Sequence, residues 1–402
     1  MLENEAQNTI PPKESFEYLS QEQYDRLKPK LQRLSTIRRD KLILVLDWDL
    51  TMAAKDDPDD VDKAPLKRAH YEKLRQWSEE INRTIVSTAR GNAPILAYLR
   101  DPFFVRKFGL IKRLILASNS GHYVYGEVSC DGPKPQKIKI PGYEDKNPSI
   151  DTVIEVIDDF VTKLCDYTVD GKKVIDGSHR ECCGAVTFNK FKTVEEFEAF
   201  NKYADQLMEN LPKDIQKNLP DTLSQKEKEA LAQRIADSIY FSKKRQINTD
   251  KDGNVINVQG YIDIKPKRMD KGLTTREILT NPIFNVIDGE PQDKPILEEG
   301  CFIVVAGDSP SDYPLMQAAV ALLGPENVLA IDVSGGITHD PISGKNFDTD
   351  GIIDLVLPPT KQYPAVDQLY LVIDDTVNTC VPCPKNAARL IPKAQEHKPA
   401  VS

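Results

Sequence analysis

The sequence predicts an α/β protein in which a parallel-sheet core is interrupted by an α+β insert, and three observations predict it. The run "LILVL" (residues 42–46) is branched aliphatic throughout, which marks a strand buried on both faces. Further apolar runs, in "RTIVSTAR", "IKRLILASNS" and "CFIVVAGDSPSDYPLM", alternate with amphipathic stretches, as the strand–helix–strand units of a parallel sheet do. That rhythm stops after residue 119 and returns near residue 266, so a second unit of ordinary domain size interrupts the first.

Composition bounds the function. The 402 residues leave room for two or three domains, and 40% hydrophobic with 29% charged residues is ordinary for a soluble globular chain. A net charge of −9 argues against nucleic acid as the main partner. No apolar stretch reaches the roughly 18 residues of a membrane span, so no membrane partner is expected. The first twenty residues, "MLENEAQNTIPPKESFEYLS", are polar and lack the apolar centre of a signal peptide. The seven cysteines are irregularly spaced and form no disulfide framework. These features together predict a reducing, cytoplasmic setting.

Taken in order, residues 1–40 read as a helical extension, with Ser20 capping "QEQYDRLKPKLQRL" and Pro29 breaking or kinking it. The strand at 42–46 opens the core. "KDDPDDVDK" (55–63) is acidic and break-prone, which fits a solvated loop better than a second metal site. "LKRAHYEKLRQWSEEI" has helical apolar spacing, and strands follow in "RTIVS" and "RLILAS". Within the insert, 119–265, "GHYVYGEVSC" and "ECCGAVTFNKF" read as half-buried strands. "TVEEFEAFNKYADQLMENL" and "SQKEKEALAQRIADSIYF" read as helices, and "NTDKDGNVINVQGYIDIKP" as a hairpin turning at Asp-Gly. The core returns with "DKGLTTREIL" as a helix, "CFIVVAG" as an apolar strand and "NVLAIDVS" as another. The expected division is a core of 41–118 and 266–372, the insert between them, and a tail of 373–402.

Open α/β sheets bind ligands at the carboxyl ends of their strands, and here those ends carry reactive groups. Asp47 and Asp49 follow the first strand, Thr88 and Arg90 the second, and Asp308 and Asp312 the strand at 302–307; Lys271 opens a helix. Carboxylates brought this close repel one another unless a cation neutralises them, and oxygen ligands favour Mg²⁺. Any one Asp after a strand is ordinarily a turn or cap residue; the whole set in this order is what points to a site.

These residues resemble the motifs of the haloacid dehalogenase superfamily of phosphotransferases. "LDWDLT" is similar to its first motif, Asp-x-Asp-x-Thr. "IVSTAR" is similar to the second, with Thr88 the better match and Ser87 the rival. "IKPKRMDKG" is similar to the third through Lys271, and "VVAGDSPSD" to the fourth, Gly-Asp-x-x-x-Asp. The long stretch between Thr88 and Lys271 is where relatives with a large α/β cap carry it. "ASNSGHYVYGEV" and "GYIDIKPKRMDKG" are similar to the lead-in and exit of such caps in Cof-type and trehalose-phosphate phosphatases. The sequence departs from the pattern at Leu50, where glycine is usual, and at Ser311, where many relatives have Asn.

The resemblance implies a HAD-like Rossmannoid core with the insert as cap domain. It also implies a Mg²⁺-dependent phosphatase that acts on a small phosphorylated substrate, a sugar phosphate above all, through an aspartyl-phosphate. Asp47 would be the nucleophile and Asp49 the acid/base. Asp47, the Asp49 carbonyl and Asp308 would hold the metal, with Asp312 behind them. Thr88 and Lys271 would bind the phosphoryl group, while Thr51 would fix the first-motif loop. Arg90, and His122, Tyr123, His179, Arg180 and Glu181 of the insert, are candidates for substrate contact, although single His and Arg residues are more often structural. Cys182 and Cys183 read as packing residues, and "CVPCP" (380–384) lacks the second pair a metal site needs. A phosphomutase or a protein phosphatase on the same core stays open, as does a catalytically silent binding protein; filled reactive positions disfavour the last.

Overall fold

The computed structural model describes residues 16–53, 66–88, 92–99, 101–109, 111–118, 121, 123–125, 148–169, 172–173, 184–249, 255–267, 270–287, 290–339, 345–362 and 364–383. In chain order, α1 (Gln21–Leu34) leads into β1 (Leu42–Leu46), α2 (Arg68–Glu80), β2 (Arg83–Ser87), α3 (Asn92–Leu99), α4 (Pro102–Phe108), β3 (Leu114–Ser118) and β4 (Tyr123–Tyr125). The insert holds α5 (Ile150–Cys165), β5 (Thr168–Val169), β6 (Lys172–Lys173), β7 (Gly184–Phe191), α6 (Val194–Asn218), α7 (Gln225–Asp237), β8 (Ile239–Thr249) and β9 (Val255–Pro266). The chain then returns through α8 (Lys271–Thr280), β10 (Val286–Ile287), β11 (Glu290–Pro291), β12 (Phe302–Gly307), α9 (Tyr313–Leu323), β13 (Val328–Val333), β14 (Leu355–Leu357) and α10 (Ala365–Thr379).

One seven-stranded sheet organises the core, in the order β14-β13-β12-β1-β2-β3-β4. All neighbours are parallel except β4, which runs antiparallel to β3. β1 lies at the centre, and the alternation along it sorts two cores. Leu42, Leu44 and Leu46 join Leu31, Leu74, Trp77 and Leu369 on one face. Ile43 and Val45 join Ile278, Leu315 and Met316 on the other. A strand with no polar face, as the sequence predicts, is thus covered by α1, α2 and α10 on one side and by α8 and α9 on the other. β2 and β3 extend the sheet on one side of β1, and the later strands extend it on the other. The switch point, where such sheets open a crevice, therefore lies at the carboxyl end of β1.

Residues 148–266 give no strand to this sheet among those described. They build a three-stranded antiparallel sheet, β7-β9-β8, covered by α5, α6 and α7 through Ile157, Phe160, Phe191, Phe200, Ile235, Val258 and Ile262. The Asp-Gly turn expected between β8 and β9 lies outside the described residues.

The edges of the expected division shift. β4 belongs to the core sheet although it lies beyond residue 118. Residue 372 falls inside α10, whose Val372, Ile373 and Val377 are buried. Helix α1, expected as an extension, packs on α10 and β14 and buries Tyr24, Leu27, Leu31 and Leu34. It also runs unbroken through Pro29. An interior proline costs about 3 kcal/mol, but each fully buried leucine contributes about 1.5–3 kcal/mol, so the apolar stripe wins. Ser20 caps the helix as expected, in a reciprocal box with Gln23. Cys380 and Cys383 are free thiols, and burial pushes the Cys380 thiol up to about 12, which makes it a packing group. No helix among the described residues is long and apolar enough to cross a membrane.

Candidate active site

Three strand ends and one helix start build the site. In register, Leu46 of β1 faces Ala306 of β12 and Val86 of β2, so Asp47, Thr88 and Asp308 leave the same edge of the sheet. The Asp47 amide still donates to the Ala306 carbonyl at 3.0 Å, which fixes its backbone as one more rung of the ladder. Trp48 then turns into the leucine-lined core, leaving Asp47 on the α8/α9 side.

Lys271 reaches that side from the first turn of α8, whose N-terminus is capped by Asp270. Its ammonium donates to Asp47 Oδ1 at 2.6 Å and to Asp312 Oδ1. All three side chains are at least 95% buried. Asp312 is held in turn by its other oxygen, which accepts from the amides of Asp308 (3.2 Å) and Ser309 (3.1 Å) and from the Ser309 hydroxyl (2.9 Å).

Two glycines allow these approaches. A Cβ on Gly307 would sit 2.3 Å from Asp312 Cβ, and one on Gly272 would sit 2.3 Å from the Pro314 carbonyl oxygen. The first glycine lets Asp312 fold back under Asp308, and the second lets α8 press on the start of α9. Gly307→Ala should therefore shift Asp312 away from Lys271. Asp312 is fully buried, so the substitution should also lower the melting temperature, since overpacking a core typically costs about 1–3 kcal/mol. A folded Gly307→Ala protein whose crystal structure keeps the Asp312–Lys271 contact unchanged would contradict this geometry.

Asp47, Asp308 and Asp312 each offer a carboxylate oxygen, all within 4.8 Å of one another, the one such group among the described residues. Burial raises the Asp47 carboxyl to about 7; the charges of Asp312 and Asp49 add to this, and Lys271 opposes it. Asp308 is raised well above the carboxylate range, first by burial and then by Asp47 and Asp312. Burial alone would lower the Lys271 ammonium, but Asp312 and Asp47 more than reverse that and keep it charged. Three carboxylates, with Asp49 close by, face one lysine, and the upward shifts of Asp47 and Asp308 express the cost of ionising them all together. An all-oxygen donor set of this kind fits a hard divalent cation.

The remaining predicted residues divide in two. Thr51 is fully buried with its hydroxyl unpartnered among the described residues. Thr88 is fully buried just beyond β2, its amide bonded to the Ala117 carbonyl at 2.9 Å. Asp49 pairs with Ala53 in a short bridge across a tight loop, in which Leu50 adopts a left-handed backbone (φ 55°). That conformation favours glycine, and the loop adopts it although a leucine occupies the position. Ser87, the rival of Thr88, is buried with its hydroxyl unpartnered among the described residues. Arg90, His122, His179 and Arg180 lie outside the described residues, as do Glu181, Cys182, Cys183 and the acidic run 55–63. Gly307 is the glycine of the Gly-Asp-x-x-x-Asp match, whereas Ser309, which seats Asp312 with it, stands out only through its short spacing to Asp312.

No family model matches the chain, and no curated protein matches it. Among solved structures it is similar to the C-terminal domain of trehalose-6-phosphate phosphatase from C. albicans, at 14% identity, with 87% of this chain and 97% of that one covered and a TM-score of 0.46. It is similar to IMP-nucleotidase from Plasmodium falciparum at 10% identity, 88% and 71% coverage and a TM-score of 0.38. A haloacid dehalogenase-like hydrolase from Bacteroides thetaiotaomicron shows 11% identity, 83% and 99% coverage and a TM-score of 0.40.

Proposed function

We propose that this protein is a phosphotransferase of the haloacid dehalogenase type. More particularly, it is a Mg²⁺-dependent phosphatase for a small phosphorylated metabolite, best read as a sugar phosphate. The observation that carries the proposal is the buried Lys271 bridging Asp47 and Asp312, with Asp308 beside them, at the switch point of a parallel sheet.

Asp47, Asp308 and the Asp49 backbone carbonyl would hold the cation, with Asp312 behind them. When bound, Mg²⁺ supplies neutralisation of the charge between a carboxylate and a phosphoryl group. The Asp47 carboxylate attacks phosphorus in line, and the bond to the leaving oxygen breaks as Asp49 gives that oxygen its proton. Asp49 then takes a proton from water, which attacks phosphorus, frees inorganic phosphate and restores Asp47. Lys271 offsets charge on Asp47 and the phosphoryl oxygens, and Thr88 donates to one of those oxygens. The insert serves as the cap that excludes water and selects the leaving group.

Hydrolysis of p-nitrophenyl phosphate with and without Mg²⁺ tests the chemistry, and a panel of phosphorylated sugars, nucleotides and phosphopeptides tests the substrate class. Mg²⁺-dependent turnover with the highest kcat/KM on a sugar phosphate is expected. Preference for a phosphopeptide would replace the substrate assignment, and no turnover of any phosphate ester would overturn the enzyme.

The raised Asp47 carboxyl gives a second test, independent of substrate. In the unfolded chain it ionises at about 4; in the folded, metal-free site it ionises at about 7. Between those values the unfolded state gains more from deprotonation, so this group makes the protein less stable as pH rises, and the loss levels off above the folded value. Mg²⁺ binds the ionised carboxylate. At a fixed Mg²⁺ concentration, set to 100 times the Kd at about pH 7.5, it should stabilise by about 2.7 kcal/mol there and by less at about pH 5, where the protonated carboxyl weakens binding, read as a larger rise in Tm at the higher pH. Equal shifts at both pH values, or none, would contradict the site.

A further inference from the structure

We propose that Asp332 is a positioning residue for Asp308, and through it for the cation site. The proposal rests on the metal-dependent reading above and assigns to it a residue outside the four motifs. Asp332 lies in β13, fully buried, and pairs in register with Gly307, the residue before Asp308. Its Oδ2 gathers the turn that follows: it accepts from the amides of Ile337 (3.1 Å) and Thr338 (2.8 Å) and from the Thr338 hydroxyl (2.9 Å). Ser334 (φ 74°) and Gly335 (φ 83°) supply the left-handed steps that bend the chain back, and the His339 amide closes the turn on the Gly335 carbonyl at 2.8 Å.

The turn so held rests on Asp308. A Cβ added to Gly336 would sit 2.0 Å from the Asp308 carbonyl oxygen, so the backbone at Gly336 forms a wall against the backbone at Asp308. Asp312 restrains the same segment from the other side, through the Asp308 amide. Asp308 is therefore clamped between two carboxylates that do different work: Asp312 belongs to the charged cluster, whereas Asp332 ties down the wall. Residues that orient a metal ligand typically change metal affinity 10–100-fold when removed. A residue that merely stabilised the sheet would change the melting temperature and leave affinity alone.

The test is calorimetric titration of Mg²⁺ into the full-length protein, with Mg²⁺ activation curves on p-nitrophenyl phosphate and Tm recorded alongside. Asp332→Ala should weaken Mg²⁺ binding about 10–100-fold, with KM for p-nitrophenyl phosphate at saturating Mg²⁺ unchanged. Asp332→Asn keeps an acceptor oxygen and should stay within a few fold of wild type. Gly336→Ala, which disturbs the same contact from its other side, should reproduce the Asp332→Ala signature and decides the matter if that variant does not fold. A folded Asp332→Ala or Gly336→Ala protein with wild-type Mg²⁺ affinity would overturn the proposal. Wild-type protein that binds no Mg²⁺ would overturn the metal-dependent reading instead.

Discussion

Asp47→Asn is expected to abolish turnover, by on the order of 10⁴-fold or more in kcat, the scale on which removal of a covalent nucleophile is felt. The amide is not a nucleophile, and it contributes no charge to a cation. The fold should survive, because the substitution removes one member of a crowded acid cluster. Burial and the charges of Asp312 and Asp49 all work against an ionised Asp47, and Lys271 keeps Asp312 as its ion-pair partner. The metal-free variant should therefore melt no lower than wild type at neutral pH. The measurement is kcat with Tm on the same preparation, with mass spectrometry to exclude deamidation back to aspartate. Substantial residual kcat would remove Asp47 from the role of nucleophile.

Asp49→Asn should behave differently, because its part is proton transfer. A good leaving group needs little protonation, so Asp47 should still be phosphorylated by p-nitrophenyl phosphate, while water lacks its general base. A burst of p-nitrophenol followed by a slow steady rate is expected. The loss on a sugar phosphate should exceed the loss on p-nitrophenyl phosphate by about 10²-fold or more, within the range general acid catalysis supplies. Mg²⁺ should still bind, since the contact expected at residue 49 is the backbone carbonyl. Rapid-quench kinetics reads the burst; equal losses on both substrates without one would make Asp49 structural and place the acid/base elsewhere.

Much of this architecture is legible in the sequence because burial on both faces leaves an unmistakable pattern. "LILVL", "RTIVS" and "FIVVAG" are the three central strands, and their ends hold Asp47, Thr88 and Asp308. Lys271 is legible through its place at a helix start, and β9 as one arm of a hairpin; β8 is not, because "SIYF" continues the helical spacing of α7, which ends at Asp237, and the strand begins at Ile239. Other elements were less so. Helix α5 buries Val153, Ile157, Phe160, Val161 and Leu164, but its short β-branched runs between acids suit a strand as well, so local pattern alone does not fix it. Helix α10 lay across the expected domain edge for a similar reason: its buried Gln368 and Thr376 break the apolar pattern that would have marked it as core. Tertiary contacts leave no local signature at all. Nothing near Asp332 in the sequence says that the turn it ties will abut Asp308, and Pro29 reads as a break until the leucines around it are seen to be buried.

The central claim is that Asp47 carries the phosphoryl group. The most direct test is to mix the Asp49→Asn protein with Mg²⁺ and p-nitrophenyl phosphate, quench in acid within the burst, and map the covalent adduct by peptide mass spectrometry. One phosphoryl group on the peptide containing Asp47, absent from the Asp49→Asn protein that also carries Asp47→Asn, is the predicted result. A burst with no acid-stable adduct on that peptide, or an adduct on another residue, would contradict it.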